Sequence, residues 1–272
     1  IYSPEREDPG NKKFQIENIP KIVSGYSNKC VNVGCYFYQQ IVNATVPVDS
    51  IKTAELAKLF ENIYRSVNIG LANEMKIIAD KMGIDIINVI NAAATKPFGF
   101  KPFYPGPGIG GHCIPIDPFY LSWKAKRYNV DAKFIELAGK INSSIPSWVV
   151  GKINNSLKKK KKLISKSKIL IVGIAYKENI DDLRESPSLT IINLLQKKGS
   201  KVDYFDPYIN KIPITRKYKF NMKSIKLNKS SISNYDAVVI CTAHSNINYN
   251  LILKNSKLIV DTRNVYNHKS KK

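Results

Sequence analysis

Acidic residues are scarce in this chain of 272: 21 Asp and Glu stand against 43 Lys and Arg, a formal net charge of +22. Cysteine is scarcer still. Cys30, Cys35, Cys113 and Cys241 are scattered without a Cys-x-x-Cys pair, which argues against a zinc site or a disulfide framework and fits a reducing, cytoplasmic setting. The three histidines, His112, His244 and His268, lack ligand spacing, so no metal is expected. No apolar run approaches membrane-spanning length and no secretory signal is visible, so no membrane partner is expected. Arginine is also rare, with six in the chain. Phosphate and base recognition leans on Arg and on interleaved aromatics; the lysine excess therefore reads as a genomic bias, and no nucleic-acid partner is expected. Attraction for anionic small molecules stays open. The opening Ile1-Tyr-Ser-Pro-Glu reads as a strand running into a loop, which suggests a fragment whose beginning is missing.

Glycine and proline are concentrated in one place, Pro105-Gly-Pro-Gly-Ile-Gly-Gly-His-Cys-Ile-Pro-Ile-Asp-Pro118. Glycine lets the main chain approach a ligand closely, and proline fixes the turns between. Asp117 reads as an N-cap and Pro118 as the first residue of a helix to Arg127, with Lys124, Lys126 and Arg127 at its far end. Cys113 then lies on a rigid loop just ahead of a helix N-terminus, a setting that favours a thiolate nucleophile. A small buried cysteine in a Gly-rich turn is the plainer alternative.

The length allows about two domains with substantial cores, and the chain divides into three pieces. Residues 1–48 hold strand-like Lys21-Ile-Val-Ser and Gln40–Val46 around an ambiguous apolar stretch, too little for an independent domain. Residues 49–145 open with a long amphipathic helix, in which Leu56, Leu59, Phe60, Ile63, Val67, Leu71, Met75 and Ile78 recur at helical spacing up to Gly83. That stripe is core, or a seam against another helix or subunit. Off it, Lys58, Asn62 and Arg65 share a face, either functional or merely solvated. A shorter helix over about 84–94 leads into the glycine loop. Residues 146–272 begin with a linker helix, the second part of a helical region of about 132–157 interrupted near Pro146. After the lysine run 158–162, read as a solvated linker, come strands at 168–173, 201–205, 236–241 and 257–261, with a helix capped by Ser186-Pro187 and closed by Gly199. Strands alternating with helices imply an α/β fold with a parallel doubly wound sheet and ligands beyond the strand carboxyl ends. Lys177, Arg184 and Arg263 lie on such ends. Gly173 alone does not make a Gly-x-Gly-x-x-Gly dinucleotide turn.

Six segments in order resemble the UDP-glucose/GDP-mannose dehydrogenase family, and within it the bacterial UDP-N-acetylhexosamine 6-dehydrogenases. They are Tyr2–Gly10, Ala54–Asn62, Ala93–Phe100, the Cys113 loop, Gly173–Pro187 and Val260–Asn264. The resemblance implies oxidation of the sugar C6 alcohol to a carboxylate in two NAD-dependent steps, with Cys113 holding a thiohemiacetal and then a thioester. It implies Glu5 as the carboxylate that activates water, Lys58 and Asn62 as the pair at the developing oxyanion, and Asp117 as a proton-moving carboxylate that also reads as a plain N-cap. Lys177 and Arg263 resemble substrate contacts, as do Tyr104 and Gly110 of the cysteine loop, and Arg184 resembles a contact to the NAD phosphates. The fold it implies is the end of a Rossmann NAD domain, a central helical dimerisation domain and a C-terminal Rossmann-like UDP-sugar domain, in a homodimer or higher homo-oligomer. Family members begin with a glycine-fingerprint NAD domain, of which only the final part is expected here, so weak NAD binding and little turnover are expected of the chain alone. Two other readings remain: a non-catalytic nucleotide-sugar-binding protein, and, with little to support it, a Cys113–His244 hydrolase.

Overall fold

The computed structural model describes residues 1–8, 10–11 and 13–266; His268 lies outside them. It falls into two compact units, residues 1–65 and 66–272. In the first, strand β1 (Lys21–Val23), helix α1 (Asn28–Tyr38) and strand β2 (Thr45–Pro47) form a parallel crossover. The stretch between the strands, ambiguous in sequence, is helical: Ser27 accepts the Cys30 N–H as an N-cap. The second strand is shorter than the expected 40–46, because residues 39–43 turn off the end of α1.

Helix α2 (Ile51–Met82) contributes to both units. Its apolar stripe is not uniformly core. Leu56, Phe60, Leu71, Met75 and Ile78 are exposed, whereas the buried positions include small or polar Ala54, Asn62, Ser66, Ala72, Asn73 and Ala79. Small residues permit close approach: a Cβ on Gly70 would meet Asn142 and Ala138 at 3.3–3.4 Å.

In the second unit α3 (Ile86–Ala93), capped by Asp85, leads to the glycine loop, and α4 (Asp117–Lys126) follows it. Asp117 is the first helical residue and not the N-cap expected for it; the cap position is Ile116, which makes no side-chain cap bond. The reason is the turn at Cys113, whose carbonyl accepts both the Ile116 and Asp117 N–H groups and winds the chain one residue early. Helix α5 (Lys133–Lys159) runs through Pro146 without the expected interruption and takes in the first two residues of the lysine run. Proline costs one N–H bond to Asn142 O, but Pro146 is buried in the packed face of α5 with Ile145, Val149 and Ile153.

The remaining elements are β3 (Lys168–Val172), α6 (Pro187–Lys197), β4 (Lys201–Phe205), α7 (Lys229–Ser233), β5 (Ala237–Ile240), α8 (Tyr249–Asn255) and β6 (Ile259–Asp261). The four strands form an all-parallel sheet in the order β4-β3-β5-β6. Alternation along β3 and β5 divides the core between two faces. Ile169, Ile171 and Val239 pack with residues of α5 and α6, while Leu170, Val172, Val238 and Ile240 pack with Ile232 of α7 and Ile252 of α8. Strand order reverses between β3 and β5, so the switch-point crevice lies beyond Val172 and Ile240.

Candidate active site

In the first unit the candidates are tied by charge. Glu5 takes the Lys21 ammonium at 2.8 Å and the Arg6 and Glu7 N–H groups at 2.7 and 2.9 Å. Partial burial opposes ionisation of Glu5, but these donors outweigh it and hold its pKa below the usual carboxylate value. Arg6 pairs with Glu61 at 2.7 Å, and Glu61 lies 3.8 Å from Lys58 one turn away on α2. Asn62, a further residue along, is 2% exposed. Lys58 and Asn62, at i and i+4, share a helix face.

In the second unit the loop 105–116 is held at both ends by backbone groups. At its start the Gly106 N–H donates to Asn73 Oδ1 (3.0 Å), Asn73 Nδ2 to Asn142 Oδ1 (2.9 Å), and Asn142 Nδ2 to Ser66 O (3.0 Å). Further along, the Gly111 N–H donates to Arg184 O at 2.9 Å. Gly110 presses on the segment after β3: a Cβ there would sit 2.7 Å from Tyr176 Cβ and 3.0 Å from Glu185 O. Any larger residue would push the loop off the sheet edge. Cys113 is half-buried, its Sγ 3.7 Å from His112 Nδ1. By contrast Cys241 is fully buried at the end of β5, and burial pushes its thiol up to about 12. Cys113 is accordingly better placed for chemistry than Cys241.

The other candidates of this unit take separate positions around the loop. Arg263, after β6, donates from Nε to Cys241 O (2.7 Å), and its Nη1 lies 2.9 Å from where a Gly106 Cβ would be. With Tyr104, Gly106 and Lys152 it lines a cleft of about 590 Å³. Tyr104 is half-exposed and donates from its hydroxyl to Asn91 Oδ1 at 2.8 Å. Arg184 faces a different cleft, of about 840 Å³, shared with His112, Lys211 and Arg216. Its exposed guanidinium pairs with Asp182, Nη2 at 2.6 Å from Oδ2. Lys177 is half-buried on the loop after β3, and Asp117 stands in the first turn of α4.

Sequence reasoning passed over Asn73, Asn142 and Asp206. Asn73 carried a usable signal, since residues 62, 66 and 73 recur on one face of α2 and all are polar. Asp206 follows the end of β4, just before Pro207, and its carboxylate accepts the Ile174, Ala175, Tyr208 and Ile209 N–H groups. Among the described residues no group of His, Cys, Asp and Glu could hold a metal ion, and no helix is long and apolar enough to cross a membrane.

A cysteine on a glycine loop thus sits at the carboxyl edge of a parallel sheet, with arginines after two of its strands, the edge at which such sheets bind their ligands. The chain belongs to the UDP-glucose/GDP-mannose dehydrogenase family: residues 52–144 match its central domain and residues 170–268 its UDP binding domain. It is 36% identical over 244 residues to the UDP-N-acetyl-D-glucosamine 6-dehydrogenase of Salmonella typhi, covering 89% of this chain and 56% of that protein. It is 34% identical over 276 residues to the UDP-N-acetyl-D-mannosamine dehydrogenase of Methanococcus vannielii, covering 98% and 61%. The solved UDP-D-ManNAc dehydrogenase of Pyrococcus horikoshii superposes with a TM-score of 0.83 at 31% identity, over 96% of this chain and 60% of that one. The chain thus spans 56–61% of the length of these relatives.

Proposed function

We propose that this chain carries the thiol and the nucleotide-sugar site of an NAD-dependent UDP-N-acetylhexosamine 6-dehydrogenase, with UDP-N-acetylglucosamine its first candidate substrate and a uronic acid for surface polysaccharide its product. The observation that carries the reading is the seating of the Cys113 loop on the sheet edge, Gly110 against Tyr176 and Gly106 against Arg263. A loop so placed brings a nucleophile beside cations suited to a diphosphate.

In this reading Arg263 and Lys177 bind the UDP moiety, and Tyr104 and Gly110 shape its surroundings. The Cys113 thiolate adds to the C6 aldehyde and forms the C–S bond of a thiohemiacetal. Lys58 and Asn62 stabilise negative charge on the sugar oxygen. Once the thiohemiacetal carbon is oxidised to a thioester, Glu5 takes a proton from water. The water oxygen attacks the thioester carbonyl, the C–S bond breaks, and the thiolate returns with the carboxylate released. Asp117 accepts the hydroxyl proton when the C6 alcohol is first oxidised to that aldehyde, and the second proton of the water goes to solvent as the carboxylate ionises. NAD, when bound, accepts the two hydrides. The exposed Arg184 guanidinium suits its phosphates, since phosphate could compete for the donors now on Asp182. The Gly-x-Gly-x-x-Gly spacing at Gly106, Gly108 and Gly111 lies between two helices and follows no strand, so it does not form a dinucleotide-binding turn, and we expect slow turnover by the chain itself. We also propose a homodimer, with the exposed Phe60, Leu71, Ile78 and Met82 of α2 as its seam; sedimentation as a monomer would refute it.

The test titrates the chain with UDP-N-acetylglucosamine, UDP-N-acetylmannosamine and UDP-glucose, then measures NADH and uronate. Saturable binding of the acetylated sugars is expected, with slow NADH formation abolished in Cys113→Ala while binding persists. Unchanged turnover in that variant would remove Cys113 as nucleophile. Binding without any Cys113-dependent turnover would favour a non-catalytic nucleotide-sugar-binding protein, and no binding would overturn the function altogether.

A further inference from the structure

His244 has no part in the chemistry above, yet it is among the most enclosed polar groups of the second unit. Its side chain and that of Asp206 are both 0% exposed, with His244 Nε2 3.1 Å from Asp206 Oδ2. The other ring nitrogen, Nδ1, accepts the Asn179 N–H at 2.9 Å. A nitrogen that accepts carries no hydrogen, so Nε2 is the protonated one and donates to the carboxylate. Asp206 in turn accepts the N–H groups of Ile174 (2.7 Å) and Ala175 (3.3 Å). The Asn179 side chain accepts from the Ser245 N–H and hydroxyl at 2.9 and 3.0 Å. Asn179 itself sits at φ 61°, a left-handed conformation that needs such support.

These bonds close around one short segment. Ile174 and Ala175 begin it, Asn179 ends it, and between them lie Tyr176, which backs Gly110 and Gly111, and Lys177. The segment crosses the switch-point crevice between β3 and β5, where a parallel sheet binds its ligand. A buried carboxylate there is costly to desolvate unless it is hydrogen-bonded, and the donors that satisfy Asp206 are the same groups that fix the segment.

We infer that Asp206 and His244 are positioning residues for nucleotide binding: they grip the 174–179 segment at both ends and so set Tyr176 and Lys177 toward the UDP moiety. The inference rests on the assignment of Lys177 to that moiety.

Two substitutions separate the halves of the imidazole. Asn at 244 places an acceptor where Nδ1 stood and can keep the Asn179 contact; Gln places a donor where Nε2 stood and can keep Asp206 instead. UDP is titrated into the full chain by calorimetry for the unsubstituted protein, His244→Asn, His244→Gln and Lys177→Ala, with melting midpoints alongside. Losing one hydrogen bond to a buried group changes an equilibrium by about tenfold. We expect His244→Gln and Lys177→Ala each to weaken UDP by about that factor, and His244→Asn to stay within about threefold of the unsubstituted protein. Hydrogen exchange across 174–180 should quicken in His244→Gln alone. Unaltered UDP affinity in His244→Gln beside a weakened Lys177→Ala overturns the positioning role while leaving the Lys177 assignment intact. Equal losses in both His244 variants place the effect in ring packing and overturn it as well. No change in Lys177→Ala removes the assignment of Lys177, and the inference with it.

Discussion

The two units hold their candidate residues by different physics. In residues 1–65, Glu5 and Lys58 belong to partly exposed ion pairs, Glu5 with Lys21 and Lys58 with the Glu61 that also holds Arg6. In residues 66–272 the loop and sheet-edge residues are fixed by buried amide, carboxylate and imidazole groups bonded to backbone N–H. Exposed pairs gain little in water and are screened by salt. Buried partners are costly to orphan. The first arrangement leaves charged groups free to exchange partners with a substrate; the second gives a loop and a crevice one geometry.

The contrast breaks most sharply at Gly173, the first residue after β3, at φ 76°. A Cβ there would lie 2.2 Å from Thr242 O, a backbone atom of the neighbouring strand end. Gly173→Ala combines overpacking with a left-handed strain and should cost about 3 kcal/mol or more, read as a lower urea midpoint. Asn73→Ala comes next. It leaves the Gly106 N–H and Asn142 Oδ1 without partners, each worth about 1–3 kcal/mol when buried. Alkylation of Cys113 should quicken in this variant as the base of its loop loosens. A stable variant with unchanged alkylation would show that the amide relay does not govern the loop.

Asp206 sharpens the comparison through pH. Burial opposes its ionisation, but His244 and the backbone N–H groups outweigh that and lower its pKa. A carboxyl with a depressed folded pKa contributes stability that is fully present above its unfolded value, near about 3.9, and that is lost as pH falls through the lower folded value. Asp206→Asn should therefore be less stable at neutral pH, and its deficit should shrink on acidification below about pH 4. A deficit independent of pH would mean that the carboxylate charge is not what stabilises the segment.

How far the sequence reveals all this follows the same division between local and distant. Ser186-Pro187 and Gly199 mark the ends of α6, and β4 falls on the expected 201–205, because caps and strand patterns are local. Helix α1 is less legible. Val, Cys, Tyr, Phe and Gly are poor helix formers, and the parallel β1–β2 pair, which needs a crossover, imposes the helix. Pro146 misleads for a related reason: packing against the sheet outweighs one missing hydrogen bond. Among the candidate residues, the glycine loop and the Lys58–Asn62 spacing are each visible as motifs. The bonds that hold the glycine loop and the 174–179 segment join residues 69 and 38 positions apart, Asn73 with Asn142 and Asp206 with His244. No spacing rule reaches that far.

The smallest expected effect lies in the first unit and tests whether its network is as loose as its exposure suggests. Glu61 is shared between Arg6 at 2.7 Å and Lys58 at 3.8 Å, with about a third of its side chain exposed. Glu61→Gln keeps the shape and removes the charge. Exposed pairs are worth about 0–1 kcal/mol, and added salt screens them. Glu61→Gln should thus lower stability by less than about 1 kcal/mol in dilute buffer, and the difference should fade in high salt. Removing the same charge frees the Lys58 ammonium from its neighbour, which should favour any anion that Lys58 binds. A loss as large as that of Asn73→Ala, persisting in salt, would place Glu61 among the rigid supports and erase the distinction between the two units.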